Sequence, residues 1–287
     1  MQYTTCMDTR AKRTISFWLW PFVCTVFVIF VFVFSFRAEP GTSAGVSVPE
    51  KETATDAVPL DTFSIPILVY HNIREYTPNE SVANRDYVVT PAEFAKQMKY
   101  LQDEGYTTLL VRELESILNG TMELPERPVA VVFDDGKISQ YENALPVLRA
   151  HTIRATFYIF TNAIDANDGY LNSDQIRELD AEGFEIASHT ILHPYLTRID
   201  HERLVKELVE SKSKLERIVG HEVTSLAYPF GLYDDIVLAE VARAGYTSAR
   251  GLSHAYEVSQ EHLLALPGFI VTNDYSYFQA IVKGTAR

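Results

Sequence analysis

The sequence predicts an α/β fold: a deformed (β/α)7-8 barrel with parallel strands, preceded by an N-terminal transmembrane helix. From Ile65 onward, short runs rich in β-branched and aromatic residues alternate with longer segments of helical period. That alternation is typical of βα units and a parallel sheet. Around eight such strands fall within about 220 residues, the size of a small βα barrel. A doubly wound open sheet is the alternative that this pattern leaves open.

The composition is that of an acidic globular protein. The chain has 287 residues, with 25 Lys and Arg against 38 Asp and Glu, and a formal net charge of −13. A hydrophobic fraction of 47% excludes a wholly disordered chain, and a charged fraction of 22% excludes a polytopic membrane protein. The negative charge also argues against electrostatic binding to nucleic acid.

The first part of the chain predicts a membrane anchor. Residues 15–36 contain no charged side chain, and at about 1.5 Å per residue they span a bilayer core of roughly 30 Å. Trp18 and Trp20 lie near the start of this run, and Arg10 and Arg13 precede it. By the positive-inside bias, residues 1–14 stay in the cytoplasm and the rest of the chain is exported to the periplasm or the exterior.

A cleaved signal peptide is the competing interpretation of this segment. Its apolar region is usually about 7–15 residues long and ends in a small-residue site, whereas this run is longer and ends FSFRAEP. Residues 37–64 are rich in Ala, Ser, Thr and Pro, which predicts a flexible linker. Residues 65–287 form the predicted globular domain, which has no Cys and depends on a hydrophobic core.

The strands and helices follow from apolar runs and from capping residues. Strands are predicted at Pro66–Tyr70, Thr107–Leu110, Val129–Phe133, Ala155–Phe160, Phe184–Ser188, Thr224–Tyr228, Tyr246–Arg250 and Phe269–Thr272. Helices are predicted at Pro91–Glu104, Arg112–Asn119, Glu142–Ala150, Ser173–Glu182, Asp200–Val219, Asp234–Ala244 and Tyr275–Val282. Thr90 is the expected N-cap of the first helix and Gly105 its stop, and Ser173 is the expected N-cap of the fourth.

Three polar clusters directly follow predicted strands. They are Asp134-Asp135-Gly136, the pair His189 and His193, and the loop from Tyr228 to Gly231. Carboxyl ends of parallel strands carry the active sites of barrels and open α/β sheets. Taken singly, the Asp pair is as readily a turn or helix cap, and the His pair a chance spacing. Together, one carboxylate and two imidazoles form a divalent metal site, and the second carboxylate is free to act as a general base.

These residues resemble the NodB-like polysaccharide deacetylases. Val132–Gly136 (VFDDG) and Ser188–His193 (SHTILH) are similar to the first two motifs of that family, and Ala227–Gly231 (AYPFG) to its third. Ile67–Ile73 (ILVYHNI) and Arg154–Phe160 (RATFYIF) resemble the branch that deacetylates biofilm poly-N-acetylglucosamine. The resemblance implies a metal-dependent hydrolase that removes N-acetyl groups from an N-acetylglucosamine-containing extracellular or cell-envelope polysaccharide.

Family membership implies a role for each matching position. Asp134 is the expected general base, and Asp135, His189 and His193 are the expected ligands of a divalent metal, commonly Zn, with Co or Ni as alternatives. The backbone N–H of Phe230 is the expected oxyanion donor. Tyr228, Pro229 and Thr190 are the expected substrate-binding residues, with Thr190 orienting its loop.

The sequence departs from the family pattern at two places. Ala227 stands where the family has the Arg that orients the catalytic Asp, so Arg154 and Arg250 are candidates to replace it. The late L-x-H motif, which supplies the general acid, has no clean match. His254 carries the letters one strand too early, and His71 ends the first strand on the active-site side, so His71 is the other candidate for an active-site role.

Three other functions remain open at this point. The same site can remove O-acetyl groups from xylan or another glycan, or the domain can be a catalytically weak glycan-binding module. A set of two His and one carboxylate also suits a non-haem iron oxygenase, but that chemistry gives no reason for the second Asp.

Overall fold

The computed structural model describes residues 60–286. The predicted segments 1–14 and 15–36, and the linker as far as residue 59, lie outside the described residues. Among residues 60–286, no helix combines the length and apolar character needed to cross a membrane. The anchor therefore stays a prediction from the sequence.

Twelve strands and eight α-helices make up the described domain. The strands are β1 (Thr62–Ser64), β2 (Ile67–Tyr70), β3 (Asn72–Ile73), β4 (Val88–Val89), β5 (Thr107–Leu109), β6 (Pro128–Phe133), β7 (Thr156–Ile159), β8 (Glu185–Ser188), β9 (Ser225–Ala227), β10 (Ser248–Arg250), β11 (Glu257–Ser259) and β12 (Phe269–Ile270). The helices are α1 (Val82–Arg85), α2 (Pro91–Asp103), α3 (Glu113–Leu118), α4 (Leu145–His151), α5 (Ser173–Ala181), α6 (His201–Val219), α7 (Asp235–Arg243) and α8 (Tyr275–Val282). A π-helical turn, Gln140–Ala144, leads into α4.

The central sheet has eight parallel strands in the order β10-β9-β8-β7-β6-β2-β12, with β5 on the first half of β6. Along this path β2, β6, β7, β8, β9 and β10 are neighbours in chain order, and β12 pairs with the other side of β2. A doubly wound sheet reverses direction part-way across, so that alternative is wrong. The sheet curls: Leu266 forms a parallel bridge with Arg250 just before β12 begins. The result is a deformed, curled α/β sheet.

Alternate residues of each strand face opposite layers, as the pleat requires. On β6, Val131 and Phe133 pack outward against helices α2, α4 and α5. Ala130 and Val132 face the inner layer with Tyr158. This alternation decides where the polar residues after β6 point.

Two boundary predictions need correction. The linker was expected to run to Ser64, but Thr62–Ser64 forms β1 and pairs antiparallel with β11. The ordered domain therefore begins before residue 65. The N-cap of α5 is Asn172 rather than Ser173, because Asn172 and Gln175 exchange hydrogen bonds in a capping box.

Candidate active site

Asp134 extends the inner face of β6. Since Ala130 and Val132 face the inner layer, the two-residue period directs Asp134 into the mouth of the curled sheet. Its exposed fraction is 3%. A carboxylate buried this far needs a partner, because an unpaired charge is costly away from water.

Arg250 is that partner. Its Nη2 lies 2.6 Å from each carboxylate oxygen of Asp134, and the Arg250 side chain is fully buried over the ring of Tyr158. Burial by itself raises the pKa of Asp134, but the Arg250 charge, followed by His189, outweighs it and the pKa falls below its ordinary value. Arg154, the other candidate, pairs instead with Glu113 at the surface.

Asp135 turns away from this pair. Its φ of 76° breaks the strand, and its Oδ1 lies 3.8 Å from Nε2 of both His189 and His193. Lys137 lies 3.6 Å from the other oxygen, Oδ2. Gly136 follows with φ of 67°, and a Cβ there would approach the Ile159 side chain to 2.9 Å. The turn that separates the two Asp side chains therefore requires glycine.

The two histidines reach the site by different routes. His189 continues β8, is buried, and its Nδ1 lies 2.8 Å from the Ala227 carbonyl oxygen, which leaves Nε2 toward Asp135. His193 lies at the end of a tight turn with φ of 56°, and its backbone N–H donates to Thr190 Oγ1. Burial, followed by the neighbouring His189, lowers the pKa of His193 to about 4. A neutral imidazole is the form that binds metals.

The three side chains suit a divalent cation. One ligand atom from each of Asp135, His189 and His193 lies within 4.8 Å of the others. Zinc bonds of about 2.0–2.1 Å to nitrogen and oxygen need such a cluster, tightened slightly around the ion. The donor set of two imidazoles and one carboxylate leaves coordination positions open for water and substrate. It does not select one metal among zinc, cobalt and nickel.

The three expected substrate-binding residues lie in two loops at the site. Thr190 is fully buried with φ of 70°, and its hydroxyl is used by His193. Pro229 is buried too. Tyr228 lines the cleft, but its hydroxyl donates to the Leu264 carbonyl. The hydroxyls of Thr190 and Tyr228 are thus engaged by backbone groups, and the assignment of these residues to substrate binding stays a prediction. Phe230, with φ of 61°, is 44% exposed at the rim.

His71 lies beside Asp134, and His254 does not. The Nε2 of His71 is 3.8 Å from Asp134 Oδ2, and its buried Nδ1 has no partner in the described part of the chain. Burial lowers the pKa of His71 below its ordinary value, although Asp134 and Asp135 oppose this shift. His254 is exposed and stacks on Phe269, away from the cleft lining.

The site opens into a cleft of about 560 Å³. One wall comes from the segment between β3 and β4, which contributes Arg74, Glu80, Asn84 and Tyr87. Sequence reasoning missed this wall because the segment has no strand or helix period. Two local contacts give this segment its structure. Ser81 caps α1, and Arg74 forms an ion pair with Glu80 at 2.8 Å.

Comparison with known proteins agrees with this site. The polysaccharide deacetylase family model matches residues 121–249, a range that holds Asp134, Asp135, His189 and His193. The Bacillus anthracis protein BA0330, provisionally named a polysaccharide deacetylase, is 33% identical with a TM-score of 0.68, and the match covers 77% of this chain and 69% of BA0330. The chain therefore belongs to the polysaccharide deacetylase family. The Streptococcus pyogenes deacetylase PplD, solved in complex with acetate, is 27% identical with a TM-score of 0.72, and the match covers 78% of this chain and 99% of PplD.

Two sequence relatives extend the comparison. The Bacillus subtilis protein YxkH, provisionally named a polysaccharide deacetylase, is 30% identical over 182 residues, 63% of this chain and 62% of YxkH. The chain thus spans less than two thirds of that relative. The poly-β-1,6-N-acetyl-D-glucosamine N-deacetylase of Staphylococcus aureus is 24% identical over 237 residues, 75% of this chain and 81% of the relative.

Proposed function

We propose that this polysaccharide deacetylase is a metal-dependent hydrolase that removes N-acetyl groups from an N-acetylglucosamine-containing polysaccharide. The observation that carries the proposal is that the two adjacent carboxylates have different partners. Asp134 is held ionised by Arg250, and Asp135 faces two imidazoles. Amide hydrolysis by water needs both a base and an electrophile, and this pair supplies a place for each.

Asp135, His189 and His193 hold the metal in this proposal. With a divalent cation bound, these three residues would provide a Lewis acid that can polarise the acetyl carbonyl and acidify a water molecule. The Ala227 carbonyl keeps Nε2 of His189 toward the cation position by engaging Nδ1. The positive-φ turns at Asp135 and His193 set the remaining two ligand directions.

Asp134 removes a proton from the attacking water. The buried ion pair with Arg250 keeps its carboxylate ionised and fixed in orientation. The water oxygen then bonds to the acetyl carbon, and the backbone N–H of Phe230 donates to the developing oxyanion, a contribution of roughly 3–4 kcal/mol.

His71 completes the reaction by moving a proton to the leaving nitrogen. Its Nε2 lies next to Asp134, and its lowered pKa leaves it neutral at neutral pH. The proton taken by Asp134 can therefore pass through His71 to the amine as the C–N bond breaks. One water and one N-acetylglucosamine unit give one acetate and one glucosamine unit.

The proposed setting and substrate are supported by the sequence and by one relative. The uncharged run at residues 15–36 and its basic flank support a single-pass anchor with the domain exported. The Staphylococcus aureus relative acts, by its name, on poly-β-1,6-N-acetyl-D-glucosamine. We therefore extend the proposal to an extracellular or cell-envelope poly-N-acetylglucosamine as the substrate class.

Acetate release from defined oligosaccharides tests the proposal. The full chain, supplied with zinc, cobalt or nickel, is incubated with β-1,6-linked N-acetylglucosamine oligomers, chitooligosaccharides and acetylated xylan. Wild type should release acetate from an N-acetylated oligomer, and Asp134→Asn should not. Release from xylan alone would favour the O-acetyl esterase alternative. Metal binding without acetate release from any glycan would contradict the proposal.

A further inference from the structure

The two metal-facing imidazoles are supported differently. The ring of His189 is oriented by a hydrogen bond from Nδ1 to the Ala227 carbonyl oxygen, at 2.8 Å. Within residues 60–286, no hydrogen bond reaches the ring of His193; the hydrogen bond found for that residue runs from its backbone N–H to Thr190. Metal-binding imidazoles usually rely on such an outer partner to fix the ring. Three rings contact the His193 ring: His189 at 4.5 Å, Phe230 at 4.6 Å and Phe160 at 6.1 Å between centroids.

Aromatic packing on the Phe230 side supports the His193 ring. The ring of Phe230 lies against His193, with centroids 4.6 Å apart and planes at 67°. Tyr195 stacks on Phe230 at 3.9 Å with planes 10° apart. The guanidinium carbon of Arg198 lies 4.5 Å from the centroid of the Tyr195 ring. These three side chains form a continuous column that ends on the metal-facing imidazole.

We propose that the Arg198–Tyr195–Phe230 column fixes the orientation of the His193 ring and thereby sets the metal affinity of the site. The inference rests on the metal site of the proposed function. Tyr195 and Arg198 are positioning residues, because they act on His193 through Phe230 and touch no reacting atom. Edge-to-face and stacked aromatic pairs supply this support without a hydrogen bond.

Backbone geometry constrains both ends of the column. The Arg198 N–H donates to the Tyr195 carbonyl at 2.9 Å, which folds Arg198 back over the ring. On the other loop, Phe230 has φ of 61°, and a Cβ on Gly231 would lie 2.7 Å from Leu252. These backbone contacts constrain both loops, as a preorganised ligand requires.

An alternative role for Tyr195 is a platform for a sugar ring, and the geometry disfavours it. A sugar that stacks on an aromatic side chain needs a free face. One face of Tyr195 is covered by Phe230, so the Arg198 guanidinium must occupy the other. Tyr195 is also outside the lining of the catalytic cleft.

The role of the column in metal binding can be tested by measuring the zinc affinity of the full chain. The metal is removed, and the zinc dissociation constant is measured by competition with a chelator for wild type, Tyr195→Ala, Tyr195→Phe and Leu232→Ala. Tyr195→Ala should weaken zinc binding by about 5- to 10-fold, since loss of outer support typically costs about 10–100-fold when the partner is direct. Tyr195→Phe keeps the ring and should stay within about 2-fold of wild type. Leu232, which is exposed and lies two residues after Phe230, is the matched control and should show no change.

A second readout reports the ligand geometry directly. The visible absorption spectrum of the cobalt-loaded protein should change in Tyr195→Ala and not in Tyr195→Phe, because the orientation of the imidazole affects the metal's ligand field. Tyr195→Leu, which keeps apolar bulk, serves as the second variant if Tyr195→Ala does not fold. It should also weaken zinc binding.

Three outcomes would overturn the inference. Unchanged zinc affinity in Tyr195→Ala with a raised KM for the glycan would make Tyr195 a substrate contact. An equal loss of affinity in Leu232→Ala would make the effect unspecific. An equal loss in Tyr195→Phe would assign it to the hydroxyl. If wild type binds zinc but releases no acetate, the proposed function fails, while the affinity comparison still decides the column.

Discussion

The site has an inner half, Asp134 with Arg250, and an outer half, Asp135 with His189 and His193. The two halves differ in burial and in the charge of their partners. In the inner half, Asp134 and Arg250 are buried and neutralise each other. In the outer half, Asp135 meets two imidazoles at 3.8 Å and remains partly exposed. One peptide unit at φ of 76° separates the two environments. The backbone turn thus gives each of the two adjacent carboxylates its own close partners, Arg250 for Asp134 and the two imidazoles for Asp135.

Breaking the inner ion pair should have the largest effect. We expect Arg250→Met to lower the free energy of unfolding by about 3–5 kcal/mol, because it leaves the Asp134 charge buried without a partner. Urea unfolding of the full chain measures this loss. The double variant Arg250→Met/Asp134→Asn should recover part of it. If Arg250→Met were as stable as wild type, the Asp134–Arg250 pair would be solvated, and the inner half would not differ from the outer half in burial.

Removing His71 should reduce turnover and leave the outer half intact. We expect His71→Gln to lower kcat by about 100-fold or more, the usual effect of losing a proton-transfer group. Zinc content, measured by elemental analysis, should match wild type because His71 is not among the three clustered ligands. Loss of zinc in His71→Gln would place His71 in the outer half instead.

A change far from the rim should affect stability alone. Asn172 caps α5 through a capping box with Gln175, so Asn172→Ala should cost about 1 kcal/mol of unfolding free energy. Thermal unfolding measures that cost, and kcat/KM and zinc content should be unchanged. A fall in zinc affinity would mean that the site and the helical shell are coupled.

The smallest expected effect is on the pH dependence of kcat/KM. This profile should distinguish a His71 that starts the reaction neutral from one that starts it protonated. The pKa of His71 is lowered from 6.5, primarily by burial, so its neutral form dominates above pH 6.5. As a relay that starts neutral, His71 should sustain kcat/KM through neutral pH, and activity should fall only as the pH drops below 6.5. Rates measured at saturating zinc from pH 5 to 8.5 check this. Activity that falls as the pH rises toward neutrality would require a His71 that starts protonated.

The parts of the site that local pattern controls could be predicted from the sequence. Strand ends locate Asp134, Asp135 and His189, because side-chain alternation and parallel pairing are local rules. The choice between Arg154 and Arg250 could not be made. Arg250 is 116 residues from Asp134 along the chain, and only the curl of the sheet brings them together.

The same limit explains the other differences. The sequence does not show that the hydroxyls of Thr190 and Tyr228 are engaged by the His193 N–H and the Leu264 carbonyl respectively. The wall between β3 and β4 has no periodic pattern to detect. Contacts of this kind depend on tertiary packing, which single-sequence patterns do not specify.

The separate roles of Asp134 and Asp135 can be tested by measuring zinc content and acetate release together for Asp134→Asn and Asp135→Asn. Circular dichroism checks that each variant folds. Asp134→Asn should keep its zinc and lose at least about 100-fold in acetate release. Asp135→Asn should lose both, because it removes a charged ligand. Equal zinc content in the two variants, or full activity in Asp134→Asn, would contradict the assignment of separate roles to these adjacent residues.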